Sequence, residues 1–190
     1  MADGRQRFLE AAVRLFARHS VAGTSLQMIG DELGVTKAAV HHHFRSREEL
    51  LTAVVEPVRV GLRSTVAAAE ALRGRHVRAD RALTGFVDLV LANRELLPVL
   101  QGDPGAAELL GSHPDLHDLT GRLTQLLADV EPGPTGHVRA DAVLSGTACA
   151  AGPRSNHIDP AELRAVLIET GRRALALRIR KEQPRTSQLC

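Results

Sequence analysis

The chain reads as all-α, with a small three-helix unit of the helix-turn-helix type at its N-terminus and a larger helical unit behind it. Three observations predict this. Period-2 alternation is absent, apolar residues recur at i, i+3, i+4, and the breaks between periodic stretches are short and carry Gly or Pro, as in Gly102-Asp103-Pro104-Gly105, Pro132-Gly133-Pro134 and Gly152-Pro153.

The first helix is expected over residues 5–19, with Phe8, Ala11, Ala12, Leu15 and Phe16 as one stripe and Gly23 as its break. Thr24-x-x-Gln27 has capping-box spacing and predicts a short second helix burying Leu26, Ile29 and Leu33. Gly34 then stands where a left-handed residue closes a helix. Thr36 caps a third helix that turns Val40 and Phe44 inward. Gly30, costly in a helix interior by about 1 kcal/mol, implies a close backbone approach. Ser46-x-x-Glu49 opens a fourth helix along Leu50, Leu51, Val54, Val58, Leu62 and Val66. Pro57 interrupts that ladder, where it either bends the helix or begins a new one. Further helices are expected over 80–100, 114–130, 138–151 and 160–181. The domain plan is 1–52, 53–181 and a disordered tail at 182–190.

Composition bounds the function. With 44% hydrophobic and 24% charged residues, a net charge of +2 and a pI near 8.9, the chain is globular and not broadly basic. No run of 18 apolar residues lacks a charge, and the acidic start Met1–Gly4 is unlike a signal peptide, so a cytoplasmic protein with no membrane partner is expected. Of the two cysteines, Cys149 reads as a small buried thiol, and Cys190 is the last residue, so no disulfide is expected. No Gly-x-Ser-x-Gly, phosphate loop, dinucleotide fingerprint or Cys-x-x-Cys is present, and neither an enzyme nor a cofactor is expected.

The stretch from Gly23 through Thr24-Ser25-Leu26, Ile29-Gly30, Gly34-Val35-Thr36, Val40-His41-His42-His43-Phe44 and Arg47-Glu48-Glu49-Leu50-Leu51 resembles the signature of the TetR family of bacterial regulators, over about residues 5–55. It departs at Gly30 (usually Ala), Val40 (usually Leu) and His41 (usually Tyr). The resemblance implies a homodimer whose third helices enter successive major grooves of a near-palindromic double-stranded operator, most often as a repressor controlled by a small-molecule effector. It places Lys37, Ala38 and His42 at base edges and Ser25, Gln27, His41 and Arg47 at phosphates and sometimes bases. The chemistry agrees: Lys can donate to guanine, Ala can pack on a thymine methyl, and Gln can read adenine.

Metal ligation is not expected. Consecutive helical residues point about 100° apart, so His41, His42 and His43 cannot converge on one ion, and His43 reads as buried with a carbonyl partner. His113 and His117 have i, i+4 spacing, but Pro114 and the nearby acids describe a helix start. The basic run Arg172, Arg173, Arg178, Arg180 and Lys181 reads as a solvated helix end. For the second unit, an effector pocket is expected among Leu62, Phe86, Val90, Leu97, Leu100 and Leu123. A dimer face is expected on Ala148, Leu163, Val166, Leu167, Thr170, Ala174 and Leu177, the last two long helices of each subunit forming a four-helix bundle.

Overall fold

The computed structural model describes residues 2–96, 100, 103 and 114–178. Among these, all regular structure is helical: α1 (Ala2–Gly23), α2 (Leu26–Leu33), α3 (Lys37–His43), α4 (Arg47–Glu70), α5 (Arg75–Ala92), α6 (Pro114–Ala128), α7 (Pro134–Ala150), a 3₁₀ turn (Pro153–Ser155) and α8 (Pro160–Ala174). The expected tail and the residues Leu97, His113, Arg180, Lys181 and Cys190 lie outside the described residues.

The head is α1 to α3 packed on the start of α4. Phe8, Ala11, Ala12, Leu15 and Phe16 form the buried stripe of α1, against Leu26, Ile29, Val40, Phe44, Leu50 and Leu51. α1 ends at Gly23 as expected, but it is kinked three residues earlier, at Ser20. Ser20 has φ 68° and ψ 165°, a region most side chains avoid. Three bonds hold it: Thr24 Oγ1 donates to the Ser20 carbonyl at 2.8 Å, the Gly23 amide donates to Ser20 Oγ at 3.0 Å, and the Val21 amide donates to the Asp103 carboxylate. Thr24 is therefore buried and its hydroxyl is committed, so it does not cap α2. Ser25 does, accepting from the Met28 amide at 3.2 Å, while Gln27 turns away to donate to Asp31.

Gly34 closes α2 at φ 67°. A Cβ on Gly30 would stand 2.8 Å from the Val35 carbonyl oxygen, so its close approach is to the turn and the entry of α3. Thr36 accepts from the Ala39 amide at 3.2 Å and opens α3. Ser46 accepts from the Glu49 amide at 3.1 Å, and the Glu49 carboxylate reaches back to the Arg45 amide at 2.8 Å. That reciprocal pair makes the expected start of α4.

Pro57 does not end the helix: α4 runs unbroken for 24 residues and carries Pro57 on an exposed face. The ring removes one amide bond to Ala53, but Val54, Val55, Val58 and Leu62 are buried on both sides of it, and that burial holds the helix through the defect. The expected boundary at 52/53 thus falls inside α4, which the head and the body share. Behind it, α5 packs on α4, α6 and α8, and α7 packs on α6 and α8. Two forked ion pairs bind α8 to α5: Arg172 to Asp80 at 2.7 and 3.0 Å, and Arg164 to Asp88 at 2.6 and 3.1 Å. The last helix stops at Ala174, well short of 181. Ala176 turns left-handed at φ 51°, and the Leu177 amide returns to the Arg172 carbonyl at 2.9 Å. Cys149, expected to be buried, is exposed, because it sits on the outer side of α7.

Candidate nucleic-acid interface and ligand cavity

On α3, Val40 is wholly buried, while Lys37, Ala38, His41 and His42 are exposed. At about 100° per residue those four positions span an arc of about 140°, one continuous face turned away from the head's core. Rings brace its far end. Phe8 meets His43 at 5.1 Å between centroids, and His43 meets His42 edge-on at 5.4 Å. His43 is half-buried against Phe8, and its ring makes no hydrogen bond to a described residue, contrary to the expected carbonyl partner. Aromatic packing holds it instead. Among the described residues no group of three or more His, Cys, Asp or Glu could hold a metal ion.

The flanking residues are less free than their spacing suggests. Ser25 is exposed and accepts from an amide, which leaves its own proton free for a phosphate oxygen. Gln27 reads a base only by leaving Asp31 at 2.7 Å. Arg47 donates through Nη1 to the Ala22 carbonyl at 2.8 Å and has a buried Nε without a partner, so it ties α4 to the end of α1. Arg14 and Arg18 are spent on Glu32 at 3.3 and 3.1 Å, and chiefly the Arg14 bond holds that carboxylate below its ordinary range. Arg5 lies over the Phe44 ring at 5.0 Å. Lys37, without an ion pair among the described residues, is the cation on the α3 face.

A cavity of about 420 Å³ opens between α4, α5, α6 and α7. Leu62, Phe86, Leu100 and Leu123 line it as expected. Val90 does not, because α5 turns it fully into the core, and Leu97 lies outside the described residues. The sequence reading missed the polar lining: His117, Thr120 and Thr124 on α6, and Asp141 and Ser145 on α7. The signal was present in Thr120 and Thr124, which stand one turn after Leu116 and Thr120 respectively, beside the apolar ladder of α6.

The expected dimer face divides. Leu163 and Leu167 are buried inside the subunit, Ala148 lines the cavity, and Leu177 packs half-buried on the core. Val166, Thr170 and Ala174 remain exposed. The division follows from the body's need for one side of α8 against α5, which the stripe alone did not reveal.

Two short helices meeting at a left-handed glycine on a longer first helix, with one exposed face on the second, have the arrangement of a helix-turn-helix. Residues 8–54 match the family model described as bacterial regulatory proteins, tetR family. The chain is 38% identical over 56 residues to the uncharacterized HTH-type transcriptional regulator YerO of Bacillus subtilis, covering 30% of this chain and 19% of that one. It is 31% identical over 64 residues to the HTH-type transcriptional repressor AcnR of Corynebacterium efficiens, covering 34% of each. The matched segments thus span only a fifth to a third of these relatives. Over nearly the whole length it superposes on SCO3833, a member of the TetR transcriptional regulator family from Streptomyces coelicolor, with a TM-score of 0.71 at 19% identity, covering 92% of this chain and 91% of that one. Residues 8–54 are thus similar to the N-terminal domain of the tetR family of bacterial regulatory proteins, and the chain has the fold of SCO3833. No helix among the described residues is long and apolar enough to cross a membrane.

Proposed function

We propose that this protein is a homodimeric, sequence-specific DNA-binding repressor of the cytoplasm whose hold on a near-palindromic operator is controlled by a small molecule in the α4–α7 cavity. The carrying observation is the single exposed arc of Lys37, Ala38, His41 and His42 on α3. Lys37 and Ala38, in its first turn, meet base edges with His42, while Ser25, Gln27, His41 and Arg47 serve the phosphate backbone. Repression rather than activation is supported by the relative from Corynebacterium efficiens that carries the name repressor.

Dimerisation is supported by the outer faces of α7 and α8. Val138 and Val166 are 68% and 52% exposed there, and a Cβ on the neighbouring Gly146 would touch nothing within 4 Å. Small and apolar residues of that kind permit close axes between copies. Effector control is supported by α4, whose Leu50 and Leu51 sit in the head's core while Val55, Val58 and Leu62 line the cavity. A ligand that prefers one setting of α4 shifts the population of heads able to bind.

The test is selection of binding sites from random duplexes with the full chain, followed by gel shifts. A two-fold related site is expected, with Lys37→Ala losing about 1–3 kcal/mol at one base pair of each half. Equal binding of all duplexes by the wild type and by Lys37→Ala would overturn the assignment.

A further inference from the structure

The cavity is built in two layers. Its floor is apolar and buried: Val55, Val58 and Leu62 from α4, Leu89 from α5, and Leu116 and Leu123 from α6. Its mouth is polar and exposed, with His117 and Thr120 on one side and Asp141 and Ser145 on the other. Among the described lining residues Asp141 is the one acid, and none is Lys or Arg.

The cations near α6 are already neutralised. Arg59 is held by Glu56 at 2.6 Å, Arg59 and Arg63 share Asp115 at 3.3 and 2.9 Å, and Arg122 is held by Glu70 at 2.6 Å and Asp118 at 3.2 Å. Three arginines thus face four carboxylates, before Asp141 is added. Residues 97–113, the stretch from which Leu100 enters the cavity, contain no Lys or Arg by sequence. Asp141 itself pairs with no cation among the described residues.

A carboxylate ligand would bring a second negative charge to Asp141, with no Lys or Arg among the described lining residues to balance it and His117 as the one ring donor at the mouth. A protonated amine meets the reverse: an unpaired carboxylate as acceptor, and the hydroxyls of Thr120, Thr124 and Ser145 able to accept its remaining protons. With Phe86 the one phenyl ring among the described lining residues and no Trp or Tyr in the chain, an aromatic cage is unavailable, so the head is held by hydrogen bonds.

We infer that the ligand of this cavity is an aliphatic amine, its hydrocarbon body on the α4–α6 floor and its ammonium head at the mouth against Asp141 and Ser145. The inference rests on the part of that proposed function that makes this cavity a ligand site. Matched ten-carbon probes test it by titration calorimetry below their micelle-forming concentrations: decylamine in its protonated form, decan-1-ol and decanoate. Decylammonium should bind the wild-type chain at least ten-fold more tightly than decanoate, with decanol between them. Asp141→Asn, an exposed surface change, should remove most of the amine's advantage and leave decanol unaltered. Decanoate binding as tightly as the amine, or an Asn variant that keeps full amine affinity, overturns the inference while leaving the cavity as a ligand site. Binding of none of the three overturns the cavity reading as well. Amine binding that leaves operator affinity unchanged preserves the inference about the ligand and removes only the regulatory role.

Discussion

Asp103 reaches across the fold to accept from the Val21 amide, 82 residues away, at the point where α1 kinks. Both residues are buried, Val21 at 1% exposure, so the amide has no ready substitute in water once the carboxylate is gone. Asp103→Ala therefore leaves a buried donor unsatisfied, a loss of about 1–3 kcal/mol. For a chain of this length, that corresponds to a melting temperature lower by about 3–9 °C. Asp103→Asn keeps a carbonyl acceptor in place but loses its charge, and a neutral bond contributes roughly half of a charged one. The Asn variant should melt between the other two. Circular dichroism melts of the three proteins give the ordering, and hydrogen exchange at the Val21 amide gives a local reading, with protection falling most in the Ala variant. Equal melting temperatures for wild type and Asp103→Ala, together with unchanged exchange at Val21, would refute the reasoning.

Val138→Asp and Val166→Asp each place a charge on the outer faces of α7 and α8, and sedimentation should show folded monomers; intact dimers from both would move the interface elsewhere. Pro57→Ala restores the amide bond to Ala53 in a helix that is already continuous, so it should raise stability by about 1–3 kcal/mol, read from urea melts, and a loss of stability would contradict the exposed, unstrained placement. Arg47→Ala frees the Ala22 carbonyl and should lower the melting temperature by about 2–4 °C while reducing the salt slope of DNA binding by about one; an unchanged slope removes Arg47 from the interface. The Arg122 bond holds Glu70 below its ordinary value of 4.5, so the stability it adds is present above that pH and lost as pH falls through the lowered folded value. Glu70→Gln should therefore lose less melting temperature on acidification than wild type, by about 1–3 °C for so exposed a pair, and parallel acid profiles would dismiss the effect.

The head was legible because local chemistry decides it. Gly34 donates its amide to carbonyls, and Thr36 and Ser46 accept from amides, all within a few residues, and all three behave as their spacing implies. Thr24 and Ser25 are both able to cap, and the choice between them depends on Ser20, whose unusual backbone no pattern announces. At Pro57 the local rule allowed a bend or an end, and apolar burial along α4 carries the helix past the missing bond without ending it. The dimer stripe was legible as apolar and not as directed, since periodicity cannot say whether Leu167 meets its own subunit or a copy. Asp103 and the polar mouth of the cavity depend on segments far apart in sequence meeting in space.

The unbroken α4 sets a length scale for anything that disturbs the cavity. Twenty-four residues at 1.5 Å each make a rod of about 36 Å, with the head's core at one end and the cavity beside its middle. If the far end is the pivot, a tilt of only about 5° sweeps the near end through about 3 Å. Opposite tilts in two copies would alter the distance between their reading helices by up to about 6 Å, against the roughly 34 Å that one turn of DNA demands. A mismatch of that size exceeds the reach of a hydrogen bond, so on the proposed function a displacement at the cavity no larger than a bond length would decide whether both grooves of an operator are engaged or only one.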